Sequence, residues 1–232
     1  TGRRSPLLPG APDAMPIDGK PLISPALLAE GLPLSASADP PEWSSPRRWA
    51  VIFAFAFNAL CNGFVCMDFS TGETLAKEAL GIDHLSESES DEDLKWLYSS
   101  IYIVVPVVQL LVAYPLHRYN WSAMLVGVCL TVGCGWLRYV AVATRSYPLG
   151  LGSSLLAGGS AAVIVSSYSI VPEHWFAPAQ RGLATAIGVQ ANYLGWAVGV
   201  LLPLYVDSLR TFTRFALFQA VVMSAALPVF LL

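Results

Sequence analysis

Residues 97–116 read LYSSIYIVVPVVQLLVAYPL, with no Asp, Glu, Lys, Arg or His on any face. A helix needs about 20 mainly apolar residues to cross the hydrocarbon core of a bilayer. A core helix of a soluble protein, by contrast, keeps a polar stripe toward water. The stretch therefore reads as a transmembrane helix. Working outward, apolar windows of about 19 residues recur near 49–67, 124–143, 149–171, 183–206 and 215–232. Composition agrees, at 55% hydrophobic and only 12% charged, with a mean hydropathy of +0.56. A soluble domain averages about 25% charged residues. Transmembrane β-strands are alternating segments of about 10 residues, and these runs are longer and do not alternate. The expected fold is an all-α membrane protein of six transmembrane helices, multi-pass in the bilayer of the plasma membrane or an organelle.

The flanks and connections complete the outline. Residues 1–46 are rich in Pro, Ser and Ala (SPLLPGAPDAMP, then SASADPPEWSSP) and read as an extended tail. The six-helix region is expected over 47–232. No charged n-region followed by a short apolar run is visible, so no secretory signal is expected. LPVFLL ends inside the sixth window without a polar flank, and the expectation is a truncated chain. Short polar segments at 117–120, 144–148, 172–182 and 207–214 make sequential spans antiparallel neighbours. With a cytoplasmic tail, Arg47, Arg48, Arg118 and Arg181 fall inside and Lys77, Lys95, Arg145, Arg210 and Arg214 outside. That distribution favours neither orientation, and the Arg47-Arg48 pair is the one local vote for a cytoplasmic N-terminus. Asn120-Trp121-Ser122 is a formal glycosylation sequon at a membrane boundary, expected to be accidental.

Net charge is −3, and the acid is concentrated between the first two spans: Asp68, Glu73, Glu78, Asp83, Glu87, Glu89, Asp91, Glu92 and Asp93. Its centre, SESESDED, reads as a solvated low-complexity loop or helix cap, with an ion-collecting vestibule as the sharper alternative. No basic patch points to nucleic acid. Cys61, Cys66, Cys129 and Cys134 lie within apolar spans without zinc-like spacing, so neither disulfide nor metal is expected, and no cofactor. No Ser-His-Asp set, paired carboxylates or phosphate loop is present. His84, His117 and His174 stand far apart, and an enzyme is not expected.

Four stretches carry a resemblance: RRW (Arg47–Trp49), NGF (Asn62–Phe64), WLYSSIY (Trp96–Tyr102) and WFAPAQRGLATAIGVQANYLGWAVGVLLP (Trp175–Pro203). In them the chain resembles the branch of the major facilitator superfamily that contains the feline leukaemia virus subgroup C receptor and the disrupted-in-renal-carcinoma protein. The resemblance covers about 47–232. It implies the N-terminal six-helix half of a twelve-helix transporter whose halves are related by an axis along the membrane normal. The implied function is secondary transport of a small organic solute by alternating access, with a C-terminal six-helix half as partner. The facilitator signature between spans two and three reads like LLDRYGLR. Here His117 stands at its Asp, Asn120 at its Gly and Ser122 at the following Arg. In cation-transporting members a Trp near the end of span one joins an aromatic cage, and this chain has Cys66 there. A substrate-contacting Gln of span five is replaced by Tyr193. Tyr193 or Trp196 could rebuild part of a cage, which attracts quaternary ammonium groups through aromatic faces.

The polar residues of the spans are the candidate site. Asn58 and Asn62 are four apart on one face of span one, with Cys66 a turn further along. Polar groups in a membrane helix face the bundle interior or a water-filled path, or serve as amide glue worth about 0.6 kcal/mol each. Together with Gln190, Asn192, Tyr193 and Trp196 they form the expected substrate path. Gating is placed at His117, Arg118 and Arg181, and at Asp68 and Arg138. Arg138 is expected to snorkel to the headgroups, with an ion pair to Asp68 as the alternative. Gly195 and Gly199, with Pro203 four residues later, suggest close packing, with a hinge in the transport cycle as the alternative, and Pro106 suggests a kink in span two. A rival reading makes the chain a former half-transporter retained as an accessory subunit of a larger membrane complex, respiratory or photosynthetic. It is motivated by a chain that stops at span six, by the signature eroded at His117, Asn120 and Ser122, and by the polar inner face that a half-bundle leaves uncovered.

Overall fold

A computed structural model describes residues 45–67, 69 and 73–231, so the expected tail over 1–44 and Asp68 lie outside the described residues. The elements in order are α1 (Arg47–Met67), α2 (Glu73–Leu80), α3 (Glu87–Arg118), α4 (Asn120–Thr144), α5 (Tyr147–Trp175), α6 (Pro178–Leu201), a 3-10 turn (Leu202–Tyr205), α7 (Leu209–Ser224) and α8 (Ala226–Leu231). Six stretches are long and apolar enough to span a membrane: α1, α3, α4, α5, α6 with its 3-10 turn, and α7 with α8. The chain is an all-α, multi-pass integral membrane protein.

The helices run further than the apolar windows. α3 begins at Glu87 and carries SESESDED in its first turns. Ser86 caps it, its hydroxyl accepting from the Glu89 amide while the Glu89 carboxylate accepts from the Ser86 amide. This reciprocal cap satisfies two backbone donors that the first turn leaves open. The acidic run is thus the cap and extension of a helix. Pro106 and Pro115 lie within this unbroken helix. α5 continues through Pro172 and His174, leaving Phe176 and Ala177 to connect it to α6. Pro178 opens α6 at a position where a missing N–H costs nothing. α4 ends at Arg145, held left-handed at φ 52°, packed against Gly81 at φ 69°. A Cβ on Gly81 would stand 2.7 Å from the Arg145 carbonyl oxygen, so both tight turns depend on glycine there.

α1 packs most extensively on α6, α5 on both α3 and α4, and α7 on α4. Glycines let α1 and α6 touch backbone to backbone. A Cβ on Gly195 would collide with the Leu60 carbonyl and lie 2.9 Å from the Phe64 amide nitrogen. One on Gly199 would lie 2.5 Å from the Phe64 carbonyl oxygen. Such small-residue seams are how helices associate in lipid, where apolar burial gives no drive. Trp49 on Phe176 and Trp121 on Phe230 place the start of α1, the α3–α4 and α5–α6 connections and α8 at one edge. The opposite edge is closed by α2 and the first turns of α3, which pack Ala76, Leu80, Ile82 and Leu94 with Phe69, Val142 and Phe212. Lys77 pairs with Asp91 there, and the Tyr147 hydroxyl donates to the Asp93 carbonyl at 3.0 Å. The hydrogen bond from Lys77 holds the Asp91 carboxyl below its ordinary value and, reciprocally, raises the Lys77 ammonium. α3 and α6 expose much of their apolar length, including Val107, Leu110, Leu111, Leu194 and Leu201.

Candidate functional site

The site forms where the end of α1 meets α5 and α6. Asn58, Asn62 and Cys66 lie on the buried side of α1. The Asn62 amide donates to the Ala157 carbonyl of α5 at 3.2 Å, and the Cys66 thiol donates to the Asn62 carboxamide oxygen at 3.9 Å. Asn58 is buried, and its carboxamide oxygen finds no hydrogen-bond partner among the described residues. A buried acceptor left open costs about 1–3 kcal/mol, so Asn58 is the polar group of α1 with capacity to spare.

α6 divides its polar residues between two duties. The Asn192 amide donates to the Ala59 carbonyl of α1 at 2.9 Å, which is helix–helix glue. Gln190 and Tyr193 face outward, with Tyr193 52% exposed. Trp196 is half-buried and packs on the cluster that contains Cys61, Val65 and Cys66. A Cβ on Gly63 would lie 3.0 Å from its Cδ1. Tyr193 meets Trp196 edge-on, ring centroids 5.1 Å apart. The structure therefore pairs Asn62 with Cys66 and Trp196 with Tyr193, and packs Trp196 on the cluster that holds Cys66. Asn58 lies deeper along α1, Asn192 is engaged with backbone, and Gln190 stands on the open side of α6.

Of the residues expected to gate, His117, Arg118 and Arg181 lie at one edge of the described structure. His117 and Arg118 are exposed, with the Arg118 guanidinium 6.0 Å from the Tyr119 ring centroid. Arg181 donates to the carbonyls of Phe176 and Glu173 at 3.3 and 3.2 Å, tying the α5–α6 connection to itself. Arg48 reaches the same connection, donating to the Gln180 side-chain oxygen at 3.2 Å and lying 5.8 Å from the Phe176 ring centroid. Sequence reasoning gave Arg48 only a topological role. The RRW motif it sits in was the available signal.

Arg138 overturns its expectation. It does not snorkel: it is 1% exposed. Its Nε donates to Ser153 Oγ at 3.2 Å and its Nη2 to Ser154 Oγ at 3.4 Å, while Nη1 donates to the Val65 carbonyl. The Phe69 ring centroid lies 4.5 Å from the guanidinium carbon. A guanidinium has five donors and cannot be discharged, so burial demands such a ring of acceptors. The adjacent Ser153-Ser154 pair of α5 was the sequence signal, and it was missed. Asp68, the ion-pair partner of the alternative reading, lies outside the described residues.

No family model matches the chain. Curated relatives do. The chain is 25% identical over 161 residues to the choline/ethanolamine transporter FLVCR2 of Homo sapiens, covering 68% of this chain and 29% of that protein. It is 27% identical over 183 residues to FLVCR1 of Mus musculus, described in the same words, covering 75% and 30%. Against flvcr2b of Danio rerio it is 23% identical over 159 residues, covering 68% and 31%. The chain thus spans about a third of the length of the curated relatives it matches. Its relatives are choline/ethanolamine transporters, and the resemblance of this six-helix bundle to the N-terminal half of that transporter family stands.

Proposed function

We propose that this chain is the N-terminal part of a secondary transporter for small organic ammonium compounds of the choline/ethanolamine class. Its path runs past Asn58, Asn62, Cys66, Gln190, Tyr193 and Trp196, and it works by alternating access against a second six-helix body laid on the exposed faces of α3 and α6. One observation carries the reading: Trp196 packs on the buried cluster that includes Cys61, Val65 and Cys66 and meets Tyr193 edge-on. An indole face on this cluster offers an ammonium group cation–π attraction, worth up to about 2 kcal/mol when desolvated. In this reading the aromatic wall comes from α6 and not from α1. His117, Arg118 and Arg181 serve the gate at one edge, and Arg138 stands toward the other.

Uptake of labelled choline and ethanolamine by cells expressing the full gene product tests this. Trp196→Ala is expected to raise the apparent KM for choline about tenfold, the equivalent of about 1.4 kcal/mol. Saturable flux that is indifferent to Trp196→Ala would refute the site. Absence of any ammonium flux would favour the rival reading, an accessory subunit whose α3 and α6 faces are covered by a larger complex.

A further inference from the structure

Among the described residues Arg138 is the one buried charged side chain, and it sits at the end of α1. That helix stops at Met67, so the Val65 carbonyl is among the last four, which have no partner within the helix. Arg138 Nη1 donates to it. A cation in that place also complements the negative end of the helix dipole. The same guanidinium reaches back to α5 through the Ser153 and Ser154 hydroxyls. One turn further along α5, Ala157 accepts from Asn62. Two successive ties, Val65–Arg138–Ser153/Ser154 and Asn62–Ala157, therefore fix α1 against α5 in height and rotation. Cys66, the next residue after Val65, directly follows the Arg138 tie and donates a hydrogen bond back to Asn62 of the other.

We propose that Arg138 is a positioning residue of the solute path: its forked guanidinium sets the register of the α1 end on α5, and thereby where Cys66 and Asn62 stand. The role depends on the fork. A lysine has its donors at one point and cannot span three acceptors on two helices. The transport consequence rests on the function proposed above, whereas the geometric one does not.

The test uses the full chain in membranes, with N-ethylmaleimide labelling of each cysteine followed by peptide mass spectrometry, alongside choline and ethanolamine flux. Cys61 and Cys134 are fully buried in the bundle and report general unfolding. Arg138→Met, Arg138→Lys and the double variant Ser153→Ala/Ser154→Ala are compared. In all three, Cys66 is expected to label at least about tenfold faster than in the parent, the equivalent of one hydrogen bond to a charged group lost from local stability. Cys61 and Cys134 should stay protected, and KM should rise with the maximal rate less affected. Full protection of Cys66 by Arg138→Lys would overturn the fork. Equal exposure of Cys61, Cys66 and Cys134, also in the mild serine pair, would reduce Arg138 to a folding residue and overturn the proposal. Selective Cys66 exposure without flux in the parent would sink the transport reading and leave the clamp standing. Flux with no selective exposure would do the reverse.

Discussion

Gly195→Ala tests the backbone seam between α1 and α6 with a single methyl group. The new Cβ would fall against the Leu60 carbonyl, 2.9 Å from the Phe64 nitrogen and 3.0 Å from the Leu60 carbonyl carbon. These are backbone atoms and cannot rotate away, so the helices must part by roughly 1 Å. A gap of that size forfeits a quarter to a half of each dispersion contact across the seam. Overpacking of this kind costs about 1–3 kcal/mol. The Asn192–Ala59 hydrogen bond, which crosses the same seam, adds about 0.6 kcal/mol if it breaks. Alanine returns up to about 1 kcal/mol of helix propensity, leaving a net loss of about 0.5–2.5 kcal/mol. Gly182→Ala is the internal control, because nothing lies within 4 Å of its added Cβ, and it should be neutral or stabilising. Unfolding in mixed micelles with increasing SDS, followed by tryptophan fluorescence, measures both. Equal midpoints for Gly195→Ala and Gly182→Ala would refute the seam.

Cys66→Trp puts a second indole into the cluster on which Trp196 packs, at a residue 8% exposed; it should destabilise by about 1–3 kcal/mol. Adding Trp196→Ala should recover most of that loss, a coupling of at least about 0.5 kcal/mol in a double-mutant cycle, and additive losses would place the two side chains apart. At the α2–α3 edge, the Asp91 carboxyl is held below 3.8, so its contribution is present above that value and fades as pH falls through the lower folded value. Lys77 is held above 10.5, so its contribution is present below that value and is lost as pH rises through the higher folded value. Lys77→Met should return Asp91 toward its ordinary titration, read by carboxyl NMR, and an unchanged Asp91 would remove the pair.

The six spans were legible because each apolar run meets the length a bilayer requires, a constraint that tertiary packing seldom overrides. The start of α3 was harder. SESESDED has no apolar period, and the informative signal was Ser86 followed three residues later by Glu89. Spacing correctly put Asn58, Asn62 and Cys66 on one buried side of α1. It could not say that Asn192 would be taken up by a backbone carbonyl, because main-chain partners have no signature in a sequence. Arg138 failed for a related reason. A lone arginine near the end of a span is ordinarily drawn to headgroups, and only the three-dimensional coincidence of a helix end, two serines and a phenylalanine makes burial affordable.

These contacts bear on how a bundle of this kind could move. α1 is held at one edge by Arg48 on Gln180 and the Phe176 ring, and at the other by Arg138 on Ser153 and Ser154. Between the edges, Gly63, Gly195 and Gly199 seat it on α6 with no room for a side chain to slide past. Both termini of α1 and its middle are therefore tied to α5 and α6, and the three helices have no internal joint at which to bend independently. A packed interface of this sort has discrete arrangements and does not deform continuously. α5 in turn packs on α3 and α4, so the motion left open is the turning of the whole six-span bundle as one body. That requires the yielding surface to be the loosely covered one, along α3 and α6, where Val107, Leu110, Leu194 and Leu201 stand exposed.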